Sequence, residues 1–133
     1  MEKEKEKEKK PRKRSPGYSK AKGSNYERKI VNELKELTGN DKICTARSES
    51  RNLDNDKIDI ADPDNVMDFY VQTKATQNTP SIKKINEEVG RKDKPLAIFW
   101  NAQEKRTSNI ISVGEYVVIT KEHFYDLIRP KYE

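Results

Sequence analysis

Apolar residues along the chain change period from helical to strand-like and back, and that alternation predicts its elements. Ile30, Val31, Leu34 and Leu37 recur at helical spacing and stop at Gly39, which predicts a first helix opening at Gly23-Ser24. Ser24 with Glu27 three residues on matches a capping box. Residues 42–47 read as a short strand with Cys44 as a small core residue. Residues 57–61 and 67–75 predict a hairpin turned at Asp62-Pro-Asp-Asn65. In its second strand Met67, Phe69 and Val71 alternate with Asp68, Tyr70, Gln72 and Lys74, giving one apolar and one polar face. Thr79-Pro80 predicts a helix start with Ile82, Ile85 and Val89 as its buried stripe and Gly90 as its stop. The apolar run 95–100 predicts a central strand covered on both sides, with Trp100 read as core in preference to a stacking platform. A polar connection over 101–108, strands at 110–113 and 115–119, and a last helix capped by Thr120 and bearing Phe124, Leu127 and Ile128 complete the chain. The order α-β-β-β-α-β-β-α predicts an α/β domain, a mixed sheet flanked by helices.

Charge divides the chain in two. Residues 1–22 hold ten Lys/Arg and four Glu, whereas the remaining 111 residues hold 18 Lys/Arg and 19 Asp/Glu. The expectation is a disordered basic tail over 1–22 and one domain over 23–133. Within the tail, Lys9, Lys10, Arg12, Lys13 and Arg14 form a cluster suited to a nucleic-acid backbone, and equally to a nuclear import signal or to solubility alone. Lys83, Lys84, Arg91, Lys92 and Lys94 read as a solvated face. One cysteine argues against an intramolecular disulfide and a cysteine zinc site. One histidine, His123, argues against a histidine metal cluster and a Ser-His-Asp triad, and reads as a surface or packing residue. No apolar run approaches the roughly 18 residues that span a bilayer. No secretory signal is expected either, so the expectation is an intracellular protein without a membrane partner.

Candidate chemistry gathers around the predicted hairpin. Gln72 and Lys74 are two residues apart and project from one strand face, and Asp59 on the neighbouring strand can point the same way. An acid, an amide oxygen and an ammonium at a strand end suit a divalent cation and a phosphate. Glu27, one turn ahead of Val31, leans toward the packed face, where a carboxylate needs a partner, a metal or a cation. Residues 48–56 read as a mobile polar loop. There Arg47, Ser48 and Arg51 can donate to phosphate, although solvated loop polarity accounts for them equally well.

Glu27, then Asp59, then Gln72-x-Lys74 thirteen residues on, resemble the PD-(D/E)XK nuclease superfamily, and Lys22-Gly-Ser-Asn-Tyr-Glu-Arg-Lys-Ile30 resembles the opening of the archaeal-type Holliday junction resolvases. The resemblance runs from about residue 22 to 100, and more loosely over 116–127. It implies a restriction-endonuclease-like mixed central β-sheet flanked by α-helices and hydrolysis of branched DNA by a homodimer. It implies Mg²⁺, or Mn²⁺, held by Asp59, Gln72 and Glu27, with Lys74 stabilising the developing charge and Arg47, Ser48 and Arg51 on a loop over the substrate. A stand-alone resolvase of this length would suit a virus acting in a host cytoplasm or nucleus. Ile58 stands where the superfamily has its proline. Gln72 stands where an acid is usual and so supplies a ligand without charge, for which Glu27, Asp68 or Asp62 could compensate. Alternatives are a nuclease acting on other DNA substrates and a degenerate domain that binds DNA without cutting it.

Overall fold

A computed structural model of the protein describes residues 16–49 and 51–132. Lys9, Lys10, Arg12, Lys13 and Arg14 lie outside the described residues. The chain runs α1 (Pro16–Thr38), β1 (Cys44–Thr45), α2 (Ala46–Glu49), α3 (Arg51–Asn55), β2 (Ile60–Ala61), β3 (Tyr70–Thr76), α4 (Ile82–Glu88), β4 (Leu96–Lys105), β5 (Ile110–Val118), α5 (Lys121–Ile128) and a 3-10 turn (Arg129–Tyr132). β3 lies parallel to β4 and β4 antiparallel to β5, a mixed three-stranded sheet. β1 and β2 pair antiparallel as a two-stranded sheet. The α/β class expected from the element order is the one observed.

Strand alternation sets the two faces of β3 against different partners. Val71, with Met67 and Phe69 ahead of it, packs with Tyr26, Ile30, Val31 and Leu34 of α1. On the other face Tyr70 packs against Ile58, Val89, Leu96 and Ile98, a cluster closed by Ile82 and Ile85 of α4. Each fully buried aliphatic side chain contributes about 1.5–3 kcal/mol, so Ile30, Ile43, Ile58, Ile98 and Val71 anchor the elements around the site. The apolar face of 67, 69 and 71 is as expected. The face expected to be polar is covered instead, and Gln72 is only 7% exposed.

Several elements differ from the sequence expectation. α1 opens at Pro16, eight residues ahead of Ser24. Proline is well placed at a first helical position, where its missing N–H would have had no partner anyway. Ser24 therefore lies inside the helix, and no capping box forms there. The loop expected over 48–56 is largely helical in α2 and α3, because Ala46 is buried at its start and Leu53 packs on the second core cluster. The predicted hairpin partner is also different. The Asp62 turn forms, its carboxylate accepting the Val66 and Met67 N–H groups at 3.0 and 2.7 Å, with Asn65 left-handed at φ 53°. The strand after it, however, ladders with β4 in register Tyr70↔Leu96, and β2 ladders with β1. α4 is capped by Ser81, whose side chain accepts the Lys84 N–H, two residues beyond Thr79. β4 extends through the expected polar connection, and β5 is one strand with a bulge opposite Ala102/Gln103. Thr120 caps α5 as expected, and His123 is a buried packing residue 6.2 Å from the Phe69 ring. Among the described residues no helix is long and apolar enough to cross a membrane.

Candidate functional site

The site forms at the fork where β2 parts from β3. At the fork the Asp59 N–H donates to the Val71 carbonyl at 2.9 Å, the backbone link between the two sheets, and Asp59 accepts the Ala46 N–H at 2.8 Å through its own carbonyl. Beyond that point the open edge of β3 has no strand beside it among the described residues. The Asp59 carboxylate takes the place of a ladder acceptor there, its Oδ2 receiving the Thr73 N–H at 2.8 Å and the Thr73 hydroxyl at 3.4 Å. Backbone and side-chain bonds together thus fix Asp59 in orientation at the end of the fork.

Burial pushes the Asp59 carboxyl up to about 6; the nearby Glu27 carboxylate adds to the rise, while the Thr73 N–H and the Lys74 ammonium oppose it. Glu27 from α1 and Lys74 from β3 therefore both lie within electrostatic reach of Asp59, although they come from opposite sides of the sheet. Gln72, on the same strand as Lys74, has its Nε2 donating to the Lys57 carbonyl at 2.8 Å. That carbonyl fixes which way the amide points, because a flipped amide would set two oxygens against each other. Its Oε1 is buried and has no hydrogen-bond partner among the described residues. An orphaned buried acceptor costs about 1–3 kcal/mol. Lys57 itself is left-handed at φ 69°, a strained conformation for a residue with a side chain.

Glu27 has found its partner within the chain. Arg47 Nη2 donates to Glu27 Oε1 at 2.6 Å and to Ser24 Oγ at 3.0 Å. The Glu27 side chain is 14% exposed and that of Arg47 46%, so the pair closes the floor of a cleft of about 290 Å³ that Ser24, Arg28 and Thr45 also line. Arg47 therefore contacts an acid of the candidate site itself. The side chains of Ser48 and Arg51 lie outside the described residues. Of the acids that could compensate for the neutral Gln72, Asp62 is committed to its turn and Asp68 is exposed.

No family model, curated protein or solved structure matches the chain. The geometry therefore carries the functional reading alone. Among the described residues no group of three or more His, Cys, Asp and Glu is placed to hold a metal. The donor set is one partly buried carboxylate, one unpartnered amide oxygen and one carboxylate already paired with arginine. In donor type these are the oxygens that a hard divalent cation of the Mg²⁺ kind takes while keeping several waters, and the Gln72 oxygen is the one without a hydrogen-bond partner. Thr73 and Lys57 were missed from the sequence. Thr73 is the unspecified middle residue of Gln-x-Lys, and its role comes from its backbone N–H at an open strand edge. Lys57 acts through its carbonyl and its φ angle, neither of which residue type discloses.

Proposed function

We propose that the chain is a metal-dependent, structure-selective DNA endonuclease of restriction-endonuclease-like fold that resolves four-way junctions as a homodimer. The observation that supports this most is Asp59, fixed by Thr73 at the open edge of β3 with Glu27 and Lys74 within electrostatic reach; the unpartnered oxygen of Gln72 on the same strand adds a free oxygen donor. The strand-helix-strand unit β3-α4-β4, with β3 and β4 parallel, supports the finer fold. Asp59 and Gln72 would hold Mg²⁺ or Mn²⁺, with Glu27 as a further ligand once parted from Arg47. Held there, such a cation would supply positive charge against the phosphate and lower the pKa of a bound water. Lys74 supplies a fixed positive charge for the oxygen that becomes negative. Arg47, released from Glu27, donates to a phosphate and fixes register without reading bases. Two sites related by a two-fold axis would serve the two strands that must be cut in a junction.

A second reading, a domain that binds DNA without cutting it, draws on the Arg47–Glu27 ion pair and the uncharged Gln72. A panel of end-labelled four-way junction, flap, nicked and linear duplexes with Mg²⁺ or Mn²⁺ separates the two. Paired symmetric nicks in the junction are expected. Cutting of flaps or linear duplex in preference would move the substrate class, and binding with no cut under either ion would leave only the second reading.

A further inference from the structure

The register of the sheet continues the candidate site into an aromatic surface. Lys74 on β3 is the partner of Trp100 on β4, and Trp100 is the partner of Tyr116 on β5. Register partners project from the same face, so ammonium, indole and phenol form one row across three strands. The preceding rows, Tyr70–Leu96 and Gln72–Ile98–Val118, are roofed by Ile82 and Ile85 of α4. The Lys74 row lies past that roof, and Tyr116 is 53% exposed.

The row is held rigid. The Trp100 indole N–H donates to both the carbonyl and the hydroxyl of Thr76 at 3.1 Å, and the Trp100 and Tyr116 rings stand 5.5 Å apart at 36°. The next row is Thr76–Ala102–Gly114, small enough to leave the aromatic pair uncovered. A Cβ on Gly114 would lie 2.8 Å from the Tyr116 hydroxyl, and Gly114 has φ 153°, so glycine is what lets the phenol lie along its own strand. Two clefts meet at this point. One, of about 490 Å³, starts at Lys74; the other, of about 480 Å³, contains Trp100 and Tyr116; both are lined by Gln77 and Asn78. A rigid aromatic pair, Trp100 half-buried and Tyr116 exposed, flanked by amides and leading to a lysine within reach of the acid, is suited to a flat, hydrogen-bonding ring on a phosphate chain.

The geometry points to Trp100 and Tyr116 as a stacking platform for an unpaired nucleobase of the DNA strand whose phosphate lies at Lys74. Stacking supplies affinity because every base presents a π face, and Gln77 and Asn78 offer donors and acceptors to its edge. A base paired within duplex cannot reach the platform, so the site selects strands opened at a branch. This rests on the nuclease reading for its substrate, and its test is separable from that reading.

Trp100 is the chain's one tryptophan, so its fluorescence reports on the platform alone. The full-length protein, in EDTA so that nothing is cut, is titrated with a short oligothymidylate and with a blunt duplex of equal phosphate content. Saturable quenching by the single strand and little by the duplex is expected. Tyr116→Ala should weaken oligothymidylate binding roughly five- to 150-fold, the range of one stacked base, while Tyr116→Phe stays within about twofold of the unaltered chain. A 5-iodouracil cross-link mapped to Trp100 or Tyr116 in the unaltered protein gives the same answer without a substitution. Equal quenching by duplex, absence of quenching, or cross-links confined to other residues would overturn the platform. Quenching retained alongside a failure to cut any substrate would instead overturn the nuclease and leave the platform standing.

Discussion

Asp59 is asked to be a carboxylate where burial makes the carboxylic acid easier to keep than in an unfolded chain. Its folded pKa of about 6 stands above the ordinary value near 4, with burial the main cause. Between those two values the folded chain holds a proton that the unfolded chain has released. The stabilisation is therefore complete below about pH 4 and is lost as pH rises through about 6. Over that window the wild type should lose about 2–3 kcal/mol relative to Asp59→Asn, read as urea unfolding in chelator at pH 4.5, 6 and 7.5; parallel pH profiles would contradict it. A cation binds the carboxylate and not the acid, so Mg²⁺ should raise the wild-type melting temperature at pH 7.5, where Asp59 is ionised, and have little effect at pH 5, where it holds its proton. Gln72→Leu removes an orphaned oxygen together with one hydrogen bond to Lys57, so stability in chelator should change by no more than about 1 kcal/mol. The Mg²⁺-induced rise should shrink all the same, and an undiminished rise would remove Gln72 from the ligand set. That Glu27 and Lys74 would lie within electrostatic reach of Asp59 was legible from type and spacing. That Glu27 is held by Arg47, 20 residues away, was not, because spacing along the chain does not show which side chain crosses from α2 to α1.

At the scale of elements the apolar periods located the helices and strands better than their ends or partners. The alternation of Met67, Phe69 and Val71 gave the face that meets α1, and Thr120 gave the start of α5. The partner of β3 was not legible, since the same alternation serves a hairpin with β2 or a parallel ladder with β4. The choice follows from the buried run 96–98, which needs a neighbour on its edge. Polar strand ends were also hidden: Asn101, Gln103 and Lys105 continue β4 beyond the core, where nothing apolar marks them. One approach between elements can be tested directly. Gly90 donates its N–H to the Asp56 carbonyl, and a Cβ there would stand 2.3 Å from the Asp56 carboxylate, which Arg91 pins at 2.8 Å. Gly90→Ala should cost about 1–3 kcal/mol. The cost should largely vanish in an Asp56→Ala background, measured as the shift in urea midpoint; an equal cost in both backgrounds would mean that a different neighbour is responsible.

For the whole molecule the charge division matters more than the net charge. Residues 1–15 carry eight Lys/Arg and four Glu, and α1 begins directly after them. Removing them spares α1 and the site. It should weaken binding to every DNA and flatten the dependence of log affinity on log salt, by about 0.9 for each duplex phosphate that the tail neutralises, with the cleavage step unchanged. An unaltered salt slope would exclude the tail from the interface. The central claim is that Asp59 and Lys74 act together on a phosphodiester with a divalent cation, and single-turnover cleavage of a labelled four-way junction in Mg²⁺ tests it most directly. The account predicts paired nicks from the wild type, abolished by chelator and by Asp59→Asn, and slowed at least a hundredfold by Lys74→Ala, in line with the loss of one electrostatic stabiliser, roughly 10²–10³. Cleavage by Asp59→Asn at the wild-type rate, or no nick from the wild type under any divalent ion, would contradict it.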